Sequence, residues 1–148
     1  MLTWKWHTFQ ELPASILYDI LALRQEVFVI EQKCPYPDID YQDQQALHLL
    51  GMKNHRLVAY LRFFPLGTLY PDALSFGRVL VKETERGQGV AKNLMNQVEL
   101  YLKEIKNTAP IIISAQVYLQ KFYSDYGYQA VGAPFDEDEI PHIKMIHK

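Results

Sequence analysis

The spacing of apolar side chains changes several times along the chain, and each change marks an element. Residues 2–7, Leu2-Thr3-Trp4-Lys5-Trp6-His7, alternate as a strand with one buried face does. Pro13 suits the first turn of a helix, where its missing N–H is not needed. Ile16, Ile20, Leu23 and Val27 then recur at helical spacing, and Leu17, Leu21 and Phe28 widen the stripe, which predicts a helix to about Ile30. Residues 48–52 and 56–64, joined through Lys53-Asn54-His55, predict an antiparallel hairpin, and residues 74–82 another strand. Val90, Leu94, Val98, Leu102 and Ile105 predict a helix ending near Asn107, and the continuous apolar run at 110–115 predicts a buried strand. Leu119, Phe122, Tyr123 and Tyr126 predict a short helix stopped by Gly127. Two short strands, near Gln129 and over 142–146, complete the pattern. The order β-α-β-β-β-α-β-α-β-β predicts an α/β (α+β) sandwich around one largely antiparallel sheet flanked by helices.

No repeat or linker interrupts this pattern, so residues 1–148 are expected to form a single domain large enough for its own core. Periodicity fails only between Glu31 and Gln45, a loop with Pro35, Pro37 and the aspartates Asp38, Asp40 and Asp43. A loop this long in a small domain is usually functional. The net charge of −2 comes with no basic stripe, which argues against a nucleic-acid partner. No apolar run approaches a membrane span, and Met1 to Trp6 has no secretory leader pattern, so a cytoplasmic location is expected. Cys34 is the single cysteine, so neither an internal disulfide nor a cysteine-rich zinc site is expected. The loop aspartates lack calcium-loop spacing, and no metal is expected.

The stretch with the most chemistry runs from Gly77 to Lys92: a strand, a charged loop, a Gly-x-Gly turn and a helix. Glycine lets the backbone adopt positive φ and approach a ligand closely. The unsatisfied N–H groups and dipole of the new helix make an anion site suited to a pyrophosphate. A P-loop would need Lys and Ser or Thr after the second glycine, but Val90 follows Gly89. A dinucleotide fingerprint would need glycine at Lys92. What remains is Arg/Gln-x-x-Gly-x-Gly/Ala, met by Arg86, Gly89 and Ala91. Taken alone, the turn also fits a strand-to-helix connection that merely needs glycine.

Farther along, Phe122-Tyr123-Ser124-Asp125-Tyr126-Gly127-Tyr128 matches a Leu/Phe-Tyr-x-x-x-Gly-Phe/Tyr helix, preceded by Gln116 at the end of a strand. With the glycine turn, these residues resemble the GNAT superfamily of acetyltransferases, in which Asn is usual where Gln116 stands. The chain is similar to the ElaA-like branch over nearly its whole length, including 23–32, Cys34-Pro35-Tyr36, Asp38, Asp40, Ala115-Gln116, Leu119-Gln120 and 140–143. The resemblance implies splayed fourth and fifth strands and acetyl-CoA as co-substrate. Its pantetheine would lie along Val79, Leu80 and Val81. Its pyrophosphate would sit on Arg86, Gly87, Gln88, Gly89, Val90, Ala91 and Lys92, with Gln116 and Tyr123 at the thioester end. It further implies Tyr123 as proton donor to the leaving thiolate.

Transfer to an amine needs a base, because an alkylammonium with a pKa near 10.4 is neutral in only roughly one molecule in two thousand at pH 7. Glu31, at the helix-to-loop junction, and His142, on a late strand, are the candidates; Glu26 reads as well as an exposed helical carboxylate. Asp38, Asp40 and Asp43 with Glu31 would attract a cationic small-molecule or peptide amine, or simply form a solvated loop face. Cys34 has no histidine placed beside it by any motif and is not expected to act as a nucleophile. A non-catalytic acyl-CoA sensor is the alternative, though it would have no use for a proton donor at Tyr123. Strand edges and aromatic content are compatible with a homodimer.

Overall fold

In the computed structural model, which describes residues 1–148, the chain begins with β1 (Leu2–Thr8) and α1 (Ala14–Arg24). The hairpin consists of β2 (Leu47–Lys53) and β3 (Arg56–Phe64), followed by β4 (Ser75–Val81) and α2 (Val90–Glu104). Next come β5 (Ile111–Gln116), the short α3 (Gln120–Ser124), β6 (Gln129–Glu137) and β7 (Ile140–His147). Asn54 and His55 both have positive φ, 52° and 63°, so the hairpin turns through the two-residue geometry that matches strand twist.

The strands form two sheets where the sequence pattern suggests one. One has the order β1-β2-β3-β4 and the other β5-β7-β6, and every strand pairing is antiparallel. They meet at a parallel bridge between Leu74 and Ile111, where Leu74 N–H donates to the Pro110 carbonyl (2.9 Å) and Ile112 N–H to the Leu74 carbonyl (2.8 Å). Beyond that point β4 and β5 part, which is the expected splay. A bulge helps to turn β4 away: its register against β3 slips between Tyr60 and Arg62, and Arg78 takes a left-handed φ of 51°.

Alternation along β3 sorts the core onto the two faces of the first sheet. Leu61 and Phe63 join Leu94, Met95 and Val98 of α2 and Ile113 and Met145 of the second sheet. Tyr60 faces the other way, onto Ile20, Leu23 and Val27 of the first helix. Trp4 lies across Gly51, where a Cβ would stand 2.6 Å from its ring, so glycine is required by packing there. Each fully buried aliphatic side chain contributes about 1.5–3 kcal/mol.

Two departures from the expected pattern matter. The first helix reaches Glu31, near its expected end, but residues Gln25–Glu31 are wound as a π-helix. The wider turn changes the face on which Phe28 and Gln32 emerge, a device often found at functional sites. β6 is also longer than expected, nine residues exposed throughout, and tolerates Gly132 (φ 79°) and Pro134 because it is an edge strand. No helix is long and apolar enough to cross a membrane.

Candidate active site

Two cavities occupy the gap between the sheets and meet inside it. The first, about 510 Å³, runs along β4 to the start of α2. Gly87 and Gly89 have φ of 79° and 78°, and a Cβ on either would meet no atom within 4 Å, so the turn faces open space. Gly89 is the N-cap of a 15-residue helix, which aims orphan N–H groups and the positive dipole end at that space. Val79, Leu80, Val81, Arg86, Gly87, Gly89, Val90, Ala91, Lys92, Gln116 and Tyr123 all line it; Gln88 is the one expected cofactor contact that does not. Arg86 is held at the rim by Glu31 through two hydrogen bonds (2.6 and 3.1 Å) and donates through Nε to the Val81 carbonyl (2.9 Å).

The second cavity, about 480 Å³, lies on the other side of the gap, under the loop that follows the π-helical turn. Its wall on the first sheet carries Arg62 and Arg78, and its wall on the second carries Glu137, Asp138 and His142. The loop aspartates do not form the open acidic cluster expected of them, because each is bound to arginine. Arg24, fully buried, donates to Asp38 (2.9 Å) and Asp43 (2.7 Å). Arg62 grips Asp40 with both Nη atoms (2.7 and 2.5 Å) and reaches Asp43 (3.0 Å). Arg78 Nε lies 2.8 Å from Asp38 Oδ1, and its guanidinium stacks over Tyr36 at 5.5 Å. Charges taken out of water need such partners. Burial alone would raise the Asp40 carboxyl, but its hydrogen bonds to Arg62 and the nearby Arg78 charge hold it at about 2. Burial pushes the Tyr36 phenol up to about 12.

Glu31 lines the first cavity, not the second. His142 lines the second and pairs in register with Gln116 across β5 and β7. Its Nδ1 is 2.7 Å from the Ile140 carbonyl, which can only accept, so Nδ1 donates there. Nε2 in turn lies 3.4 Å from Glu137 Oε2. Cys34 is buried with Sγ donating to the Asp138 carbonyl (2.9 Å), and burial, with Asp138 and Glu139 nearby, pushes the thiol up.

The family of acetyltransferase (GNAT) domains matches residues 18–148. The chain belongs to the GNAT family. Protein ElaA of Escherichia coli is 40% identical over 148 residues, 98% of this chain and 95% of that protein. A UPF0039 protein of Synechocystis sp. is 41% identical over 149 residues, 99% of this chain and 96% of that protein. The crystal structure of an acyl-CoA N-acyltransferase from Pseudomonas aeruginosa superposes with TM-score 0.93 at 36% identity, and that of E. coli ElaA with 0.92 at 38%, each covering 100% of both chains.

GNAT proteins use acyl-CoA, and the first cavity fits it: a glycine turn open to phosphate, then a channel along the bulged edge of β4. Where the two cavities join, Phe28, Gln32, Val79, Gln116, Leu119 and Tyr123 line both. Tyr123 projects there from α3, 4% exposed and packed against Phe76, Phe122 and Tyr128. Burial raises its phenol above the ordinary value, so it stays protonated at neutral pH. Gln116 Nε2 donates to Gln32 Oε1 (3.4 Å) across the junction. The sequence reading did not place Phe28, Gln32 or the three arginines at these cavities. A clue was present, since Arg24 lies in an apolar helical stripe and Arg62 in an apolar strand. A charge in such a place calls for partners, and the loop aspartates supply them.

Proposed function

We propose that this GNAT protein is an N-acetyltransferase that moves an acetyl group from acetyl-CoA directly to a primary amine. The observation that carries the reading is the meeting of two cavities at Tyr123, Val79 and Gln116, one suited to the cofactor and the other to an acceptor. Bound acetyl-CoA supplies an activated carbonyl and a thiolate leaving group. The N–H groups of residues 86–92 hold its pyrophosphate, and the edge of Val79, Leu80 and Val81 pairs with its pantetheine as a peptide adds to a sheet.

The amine enters from the second cavity. His142 Nε2 takes its proton, directly or through one water, as the N–C bond forms; with Nδ1 donating to the Ile140 carbonyl, Nε2 is the nitrogen that accepts in the neutral ring. His142 is preferred to Glu31, whose carboxylate is engaged by Arg86 on the cofactor side. As the C–S bond breaks, the Tyr123 hydroxyl gives its proton to sulfur, and solvent exchange returns one proton from His142 to Tyr123.

Calorimetric titration with acetyl-CoA and a thiol-release screen over amines test the proposal together. Binding of one acetyl-CoA per chain and amine-dependent thiol release are expected. Binding without release to any amine would leave an acyl-CoA-binding protein, not an enzyme.

A further inference from the structure

The charged lining of the second cavity falls into two groups, Asp40 with Arg62 and Arg78 on one side and Glu137, Asp138 and His142 on the other. Glu137 and Asp138, at the turn between β6 and β7, face it from the second sheet beside His142. Glu137 is half exposed, and its Oε2 lies 3.4 Å from His142 Nε2. The wall on the first sheet is built otherwise. Arg62 and Arg78 balance their charge against Asp38, Asp40 and Asp43, a set already shared with Arg24, but they do not exhaust their donors there. Arg62, 5% exposed, has a buried Nε without a partner. Arg78 Nη2 donates to the Asp38 backbone carbonyl and to Asp40, while its Nε, though 2.8 Å from Asp38 Oδ1, is also buried without a hydrogen-bond partner, and Nη1 takes part in none of these contacts. Ser75 and Tyr70 add hydroxyl groups to the same cavity.

Arg78 also occupies a left-handed backbone position, φ 51°, in the bulge of β4. Such positions disfavour any residue with a Cβ, and in strands they often mark sites where a side chain is re-aimed. Here the bulge sets a guanidinium over Tyr36 at the cavity wall, one residue from Val79 at the seam.

We propose that the acceptor is a small amine that also carries a carboxylate, an amino-acid-like zwitterion, with its ammonium at the Glu137–His142 wall and its carboxylate at Arg78. The inference rests on the N-acetyltransferase reading and narrows its substrate class. The acidic wall draws the cationic end to the base, and the free Arg78 donor takes the anionic end, so both charges leave water for partners. A cavity of about 480 Å³ suits a small molecule of this kind. The aspartates then serve the acceptor by holding the arginines in place, not by attracting its amine.

The test compares L-amino acids with their methyl esters and with the matching decarboxylated amines, using acetyl-CoA as donor and thiol release as readout. The reacting acids should show kcat/KM about 10-fold or more above both counterparts, the size of one charge-assisted hydrogen bond. Arg78→Gln should raise KM for the acid toward that of its ester, while calorimetric affinity for acetyl-CoA stays within about 2-fold. Glu137→Gln should instead slow acids and esters alike, leaving their ratio unchanged. Esters or decarboxylated amines that match the acids, or acetyl-CoA binding with no reaction in any arm, would overturn the inference. Absence of acetyl-CoA binding would instead remove the reading beneath it. The ratio in the parent protein decides the matter even if Arg78→Gln folds poorly.

Discussion

The two cavities are built on different principles. The cavity along β4, proposed for the cofactor, draws half of its lining from one stretch, residues 79–92, and presents backbone: two left-handed glycines, a helix N-terminus and the edge of a bulged strand. The second cavity, proposed for the acceptor, takes its charged lining from β3, β4, the loop after the first helix, the β6–β7 turn and β7, and presents side chains whose charges depend on one another. Backbone sites follow from local conformation, so a short sequence pattern specifies them. Side-chain sites follow from tertiary assembly, and their chemistry changes once partners are in place.

The largest effect is expected where the two regions meet. Tyr123→Phe should lower kcat by roughly 10²–10⁴, the range for a lost general acid, while affinity for acetyl-CoA stays within a few-fold. Steady-state kinetics and calorimetry check this together; unaltered turnover would make Tyr123 a packing residue and reduce the junction to a geometric coincidence.

Next comes a change confined to the acceptor scaffold. Arg24→Met leaves Asp38 and Asp43 short of a buried partner and should destabilise the protein by about 3–5 kcal/mol in urea denaturation. A loss below about 1 kcal/mol, the worth of an exposed pair, would mean that the network contributes little to holding the cavity.

Gly89→Val addresses the other side. It forces a β-branched residue to φ 78° and fills the space in front of the helix N-terminus, so acetyl-CoA affinity should fall about 100-fold with the far-UV spectrum retained. Affinity unchanged in a calorimetric titration would remove the pyrophosphate from this turn.

The same contrast explains what the sequence disclosed. The order of elements and the glycine turn were legible because periodicity and turn chemistry are local properties, and eleven of the twelve residues expected at the cofactor line the cavity along β4; the splay of β4 and β5 was implied by the resemblance alone. The π-helical winding at Gln25–Glu31 was not legible, since apolar spacing cannot distinguish it from a last turn of α-helix. Nor was the division into two sheets, because it depends on β5 pairing with β7, beyond α3 and β6 in the chain, and not with β4 along its length. On the acceptor side His142 was placed in the cavity, but Glu31 was expected there and the aspartates were read without their arginines. Those pairs join residues 14 to 40 positions apart, beyond the reach of any local pattern.

The smallest effect is on the pH dependence of stability. Burial lowers the pKa of His48, which is held between the Tyr60 hydroxyl (2.6 Å) and the Asp43 carbonyl (2.9 Å), and Asp40 sits at about 2. Both groups bind protons more readily in the unfolded chain, so each contributes stability above its unfolded pKa and loses it in acid. The urea midpoint should fall as pH drops below about 6.5 and fall again between about pH 4 and 2. A midpoint that rises on acidification to about pH 5 would contradict the neutral, buried state of His48.

The central claim is that both substrates occupy their cavities at once and react across the junction at Tyr123. Initial rates measured with acetyl-CoA and the best amine of the screen, each varied against the other, test it most directly. The account predicts double-reciprocal lines that intersect, because transfer takes place in a ternary complex. Parallel lines would show that the acetyl group first rests on the protein, and would contradict direct transfer between the two cavities.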